Sequence, residues 1–155
     1  MKKLLLFSCL MIFASCSLSK QNRSYRSMIN GQWTLQSVTH PNNPGDYNGE
    51  LFATANAFCY NGSSWNFVSN NSTGSYSFSN ANCNNAANLI RWSIYEPGDG
   101  SHQFQFKPID EKKKSINNNA GFRLNIDSLT ETSMILSTTI NVEGSPFLIN
   151  LNFIK

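Results

Sequence analysis

The chain has 155 residues and a formal net charge of +3, from 12 Lys+Arg against 9 Asp+Glu. Lys2 and Lys3 sit in the first three positions, so residues 16–155 carry ten basic and nine acidic side chains and are nearly neutral. That balance argues against a nucleic-acid-binding domain, which needs clustered Lys and Arg, and the 140 residues after position 15 suit one domain.

The first element is an export signal. Lys2 and Lys3 precede an apolar run from Leu4 to Phe13, and small residues, Ala14 and Ser15, lie just before Cys16. A positive start, an apolar stretch and small residues at a cleavage point read as a secretory signal over residues 1–15. The run is too short for a membrane-spanning helix, which needs roughly 20 apolar residues. Phe13-Ala14-Ser15-Cys16 resembles the lipobox of bacterial lipoproteins. The resemblance implies cleavage before Cys16, a diacylglyceryl group on its thiol and an acylated new amino terminus. Plain secretion is the alternative, but it would need no cysteine at that point. With two or three acyl chains the anchoring is stable, since one chain alone is marginal. Ser17, in place of an aspartate, implies sorting to the outer membrane of a Gram-negative envelope. Cys9 leaves with the signal. Residues 16–29 are expected to form a lipidated tether, with "YRSMIN" as a short helical turn leading into the domain at 30–155.

From residue 31 the pattern is alternation. "GQWTLQSVTH" (31–40) sets Trp33 and Leu35 on one side. "SWNFVS" (64–69) aligns Trp65 and Phe67, "GSYSFS" (74–79) Tyr76 and Phe78, and "NLIRWSIYE" (88–96) Ile90, Trp92 and Ile94. "HQFQFKPI" (102–109) pairs Phe104 with Phe106, and "GFRLNID" (121–127) aligns Phe122, Leu124 and Ile126. "SMILSTTINV" (133–142) and "PFLINLNFIK" (146–155) complete the set, and "GELFAT" (49–54) is a shorter candidate. Period-two alternation marks half-buried antiparallel strands. "NNSTG" and "EGSP" are hairpin signals. Asparagine clusters punctuate the chain, because Asn bonds its own backbone and tolerates positive φ. No apolar run at helical spacing is visible after residue 16. The expected fold is all-β, an antiparallel up-and-down barrel of about eight strands, whose interior side chains can fill or which can hold one small ligand.

Gly31-Gln32-Trp33 is a G-x-W at the start of the first strand, after a segment with helical potential. It resembles the opening motif of lipocalins, in which the tryptophan closes one end of the barrel. Taken with "FCYNGSSWNFVSNNSTGSYSF" and the later strands, residues 28–155 resemble the small lipocalin-like lipoproteins of Gram-negative bacteria. The resemblance implies Gly31 and Trp33 as barrel-closing residues. It also implies an arginine near the chain's end packed on the tryptophan, a role for which Arg123 and Arg91 are the candidates.

Cys59 and Cys83 are the remaining cysteines, and an oxidising compartment makes a disulfide between them the default. A zinc site would have only these thiols with His40 and His102, at no recognisable ligand spacing. No metal or cofactor is expected. Phe67, Phe78, Trp92, Phe104 and Phe106 are the candidate lining of a cavity for a small apolar or amphipathic ligand; alternatively, they fill the interior. Arg91 and Arg123 alternate with the aromatics and are expected to face solvent. "DEKKKS" (110–115) reads as a solvated turn. Asn61 and Asn71 match the glycosylation sequon, which a bacterial signal sets aside. No G-x-S-x-G elbow or paired carboxylates stand out, so a binding or structural role is expected rather than catalysis. The two functional expectations are an envelope-anchored ligand-binding barrel and a solid barrel acting as a structural or interaction module.

Overall fold

A computed structural model of the chain describes residues 18–41, 47 and 49–155. The expected signal peptide and the expected lipid attachment at Cys16 lie outside the described residues.

Eight strands close into one antiparallel barrel. They are β1 (Gly31–Thr39), β4 (Ser63–Val68), β5 (Thr73–Ser77), β6 (Asn88–Tyr95), β7 (Gln103–Pro108), β8 (Phe122–Leu129), β9 (Ser133–Val142) and β10 (Ser145–Ile154). The order around the wall is β1-β10-β9-β8-β7-β6-β5-β4, and β1 pairs with both β10 and β4. Closure removes the exposed strand edges that would otherwise template aggregation. The architecture is lipocalin-like, as the sequence resemblance implies. Alternation works as read: in β4 the pattern is Ser63, Trp65 and Phe67 buried, with Ser64 exposed. Bulges between Leu35 and Ser37, and between Ile126 and Ser128, shift the register of β1 and β8.

The 49–54 candidate departs from expectation. Only β2 (Glu50–Leu51) forms there, and it pairs with β3 (Ala55–Asn56) in a small hairpin outside the barrel sheet. A single helical turn, α2 (Ala57–Tyr60), follows. This segment folds over one mouth of the barrel and buries Leu51, Phe52, Ala57, Cys59 and Tyr60.

The other mouth is closed by α1 (Lys20–Ile29), which includes the helical turn expected at "YRSMIN" but starts five residues earlier. Most of the expected tether therefore belongs to the barrel domain. Apolar periodicity misses α1 because its inward positions include polar residues. Asn22 is buried and donates through Nδ2 to the Ile94 carbonyl at 3.2 Å. Arg26 donates to the Ser69 carbonyl and, at 2.9 Å, to Ser72 Oγ, holding the β4–β5 turn, and its guanidinium lies 5.0 Å from the Trp92 ring centre. Ile29 supplies the apolar contact, being fully buried. Ser19 caps the helix, accepting from the Asn22 amide at 2.9 Å, which satisfies one of the unpaired N–H groups of the first turn. The same hydroxyl donates to Glu96 Oε1 at 2.7 Å. Hydrogen bonds from Ser19 and then Asn22 hold the Glu96 carboxyl below its usual range.

Candidate functional site

The interior is the candidate site, and the floor defines it from below. Trp33 is buried and donates its indole N–H to the Ile29 carbonyl at 2.8 Å, joining β1 to the end of α1. Gly31 takes φ +113°, a conformation that disfavours other residues, and this sets the angle between helix and strand. The basic residue over the tryptophan is Lys155: its Nζ lies 4.9 Å from the Trp33 ring centre and donates to the Met28 carbonyl at 2.9 Å. Arg91 and Arg123 do not fill this role. Both are exposed on the outer face of the wall, as their alternation with Trp92 and Leu124 dictates.

Above the floor, four of the five rings expected to surround a cavity touch one another, and the fifth, Phe78, packs on Tyr60 and Tyr76. Phe67, Phe78, Trp92, Phe104 and Phe106 are all 5% exposed or less. Phe67 of β4 meets Phe104 of β7 with ring centres 5.5 Å apart, and Trp65 meets Phe106 at 6.0 Å, both edge-to-face. Strands β5 and β6 separate these partners along the sheet, so the contacts span the interior. Trp92 stacks on Phe104 at 5.8 Å and meets Phe67 at 5.6 Å. Trp65 stacks on Tyr76 at 4.3 Å and meets Phe153 at 5.6 Å. Each such pair adds about 0.5–1.5 kcal/mol beyond area burial. Gly74 makes room for this packing: a Cβ there would lie 2.6 Å from the Asn66 carbonyl oxygen and 3.4 Å from the Phe67 ring.

The upper mouth is stoppered by aromatic side chains from the β2–α2 segment. Phe52 inserts against Phe106 at 5.0 Å and Phe122 at 5.2 Å. Tyr60 packs edge-on to Phe78 at 5.0 Å. A buried polar chain ties this stopper to the wall. Trp65 Nε1 donates to Ser63 Oγ at 2.9 Å, Ser63 donates to the Tyr60 carbonyl at 2.6 Å, and the Tyr60 hydroxyl donates to the Leu51 carbonyl at 3.2 Å. The side-chain donors of Trp65, Ser63 and Tyr60 are thus all satisfied, which burial requires. Burial, followed by the neighbouring Tyr76, pushes the Tyr60 phenol well above its ordinary value, so it stays neutral. The expected disulfide is present: Cys59 of α2 is bonded to Cys83 of the β5–β6 connection. It fastens the stopper covalently. Among the described residues no group of three or more His, Cys, Asp or Glu could hold a metal ion.

Sequence reasoning did not single out Lys155, Phe52 or Tyr60. The signal for Lys155 is its position two residues beyond Phe153, the last inward ring of β10. Phe52 and Tyr60 carry no alternation, because they come from a cover rather than from a wall.

Among solved structures, the chain is similar to a lipocalin-like protein from Bacteroides uniformis, with 12% sequence identity and a TM-score of 0.46, over 83% of this chain and 98% of that one. No family model matches the chain. No curated protein matches it.

Proposed function

We propose that this protein is an envelope-anchored barrel whose interior is filled by its own side chains, and which serves as a structural or recognition module through its outer surface. The observation that carries this reading is the pair of ring contacts across the barrel, Phe67–Phe104 and Trp65–Phe106. Ligand barrels leave a volume of about 300–1,000 Å³ for their cargo; here aromatic rings in van der Waals contact cross that space. The anchor in this reading is the lipid on Cys16, held by the signal pattern of residues 1–16.

A second reading has one observation in its favour. Phe52 and Ala53, at the tip of the β2–β3 hairpin, take φ of +53° and +47°, a backbone region that costs energy in residues other than glycine. A segment held under strain is one that a ligand could lift, vacating the space that Phe52 fills.

Mass spectrometry of the protein purified from its own envelope tests both. The proposal predicts a chain beginning at Cys16 with added acyl mass, found in the membrane fraction, and no stoichiometric small molecule retained under native conditions. An unmodified chain in the medium overturns the anchor. A co-purified apolar molecule at one per chain overturns the filled interior and favours the second reading.

A further inference from the structure

The outer face of β6, β7 and β8 carries an open groove of about 530 Å³, whose polar lining comes from Arg91, Ser93, Gln105, Lys107, Asn119 and Arg123. The volume falls within the range of small-molecule sites, about 300–1,000 Å³. Three of the lining residues are cations, and no carboxylate lines the groove. This is a local excess in a domain whose charges otherwise nearly cancel. The acidic residues that follow Lys107, Asp110 and Glu111, line a separate crevice with Asn66, Thr73 and Ser75 over β4 and β5, and neither Glu96 nor Asp127 is among the residues lining the groove.

The register makes this arrangement costly for the free protein. Arg91 is the direct cross-strand partner of Lys107, and like charges directly opposite one another destabilise a sheet. The cations are held by neutral groups. Lys107 Nζ donates to Asn119 Oδ1 at 2.9 Å, and Arg123 donates to Gln105 Oε1 at 3.2 Å while its guanidinium sits 4.0 Å from the Tyr95 ring centre. Gln105 in turn donates to Ser93 Oγ at 2.8 Å. These contacts orient the side chains without cancelling their charge.

We infer that this groove binds a small polyanion bearing phosphoryl groups. The Arg91–Lys107 pair clamps one anionic group, because a bound anion between two opposed cations turns their repulsion into attraction. Arg123 pairs with Gln105, which lies two residues from Lys107 on the same face, or about 7 Å at the strand rise. It takes a second anionic group on the same molecule, and a guanidinium suits a phosphoryl group through paired N–H donors. The groove lies outside the barrel wall, so the inference stands whether or not the interior admits a ligand.

The test is calorimetric titration of the protein with tripolyphosphate and, separately, with inorganic phosphate, at low and physiological salt. Binding is expected at one tripolyphosphate per chain, tighter than inorganic phosphate and weakened by salt. Arg91→Gln, Lys107→Gln and Arg123→Gln are each expected to weaken it about tenfold or more, in line with loss of a charge-assisted bond. Lys107→Gln should at the same time raise the melting temperature of the free protein, since it removes a like-charge neighbour. A merely structural lysine would lower it. Vesicles distinguish the source of the phosphoryl group. Retention on phosphatidylglycerol but not phosphatidylcholine vesicles, competed by tripolyphosphate, assigns a lipid headgroup. Tripolyphosphate binding without such retention assigns a free ligand. No saturable tripolyphosphate binding at low salt, or binding unchanged in all three variants, overturns the inference.

Discussion

Lys155 Nζ stands 4.9 Å from the centre of the Trp33 ring and 2.9 Å from the Met28 carbonyl oxygen. One side chain after the last strand thus seals the joint between α1 and the first strand, which links chain segments 127 residues apart in sequence. The ammonium gains from the face of the indole and from the unpaired carbonyls at the end of the helix.

Replacing Lys155 with Gln should therefore lower stability by about 1 kcal/mol, the usual size of an exposed cation–π contact with an accompanying hydrogen bond. Lys155→Arg should recover most of it. Thermal unfolding read by circular dichroism measures both, and equal melting temperatures for Lys155→Gln and the parent would show that the joint does not depend on this residue.

Phe67→Ala removes the ring that bridges β4 to Phe104 and Trp92. Large-to-small changes of this kind cost about 3–5 kcal/mol, because the surroundings relax only partly around the void. The void left behind is lined by Phe104 and Trp92 and has no polar partner for water, so it should stay dry and admit benzene or xenon. Chemical denaturation measures the loss, and xenon-induced NMR shifts confined to the variant measure the gain. The same shifts in the parent would mean that space existed before the ring was removed.

The Cys59–Cys83 bond closes a loop with a sequence separation of 24. In the chain-entropy account that loop is worth about 3 kcal/mol. The Cys59→Ser/Cys83→Ser double variant should lose about that much. Hydrogen exchange should rise first over residues 50–61, where the stopper is then held by ring contacts and hydrogen bonds alone, the Trp65–Ser63–Tyr60 chain and the Val38 amide to Asn61 Oδ1 among them. Uniform acceleration over all eight strands would place the bond in the barrel's global stability instead.

Tyr60 gives the pH dependence. Its phenol ionises far less readily in the folded barrel than the ordinary value of 10.0, chiefly through burial. A raised folded value means that the native state holds its proton where the unfolded chain has lost it. Stability is then unaffected below about pH 10 and falls as pH climbs above it. Ultraviolet titration of the five tyrosines should leave at least Tyr60 silent until the barrel unfolds. A Tyr60→Phe variant should lose this silent phase. It should also lose the hydrogen bond to the Leu51 carbonyl.

The barrel wall was legible in the sequence, because a half-buried strand writes its burial pattern directly into every second residue. Trp65 and Phe67, Phe104 and Phe106, and Leu124 all fall inward as their alternation requires. The disulfide was legible from the compartment and from the small number of cysteines. Both covers were not, beyond the helical turn expected at "YRSMIN". In α1 the positions that meet the barrel include Asn22 and Arg26, whose polar groups bond carbonyls across the joint, so no apolar stripe marks the helix. In the β2–α2 segment, burial follows the shape of the mouth and has no period. Nor could alternation say whether inward rings would leave a space or close it, since that depends on which rings face each other across the interior. Phe67 opposite Phe104 is a relation between strands three apart in the wall, and it appears only when the sheet is rolled.

Fluorescence titration of the intact protein with N-phenylnaphthylamine, a neutral apolar probe, tests the filled interior most directly. The contacts of Phe67 with Phe104 and of Trp65 with Phe106 predict no saturable enhancement of the probe and no quenching of the three tryptophans. Saturable binding of one probe per chain, with tryptophan quenching to match, would contradict them.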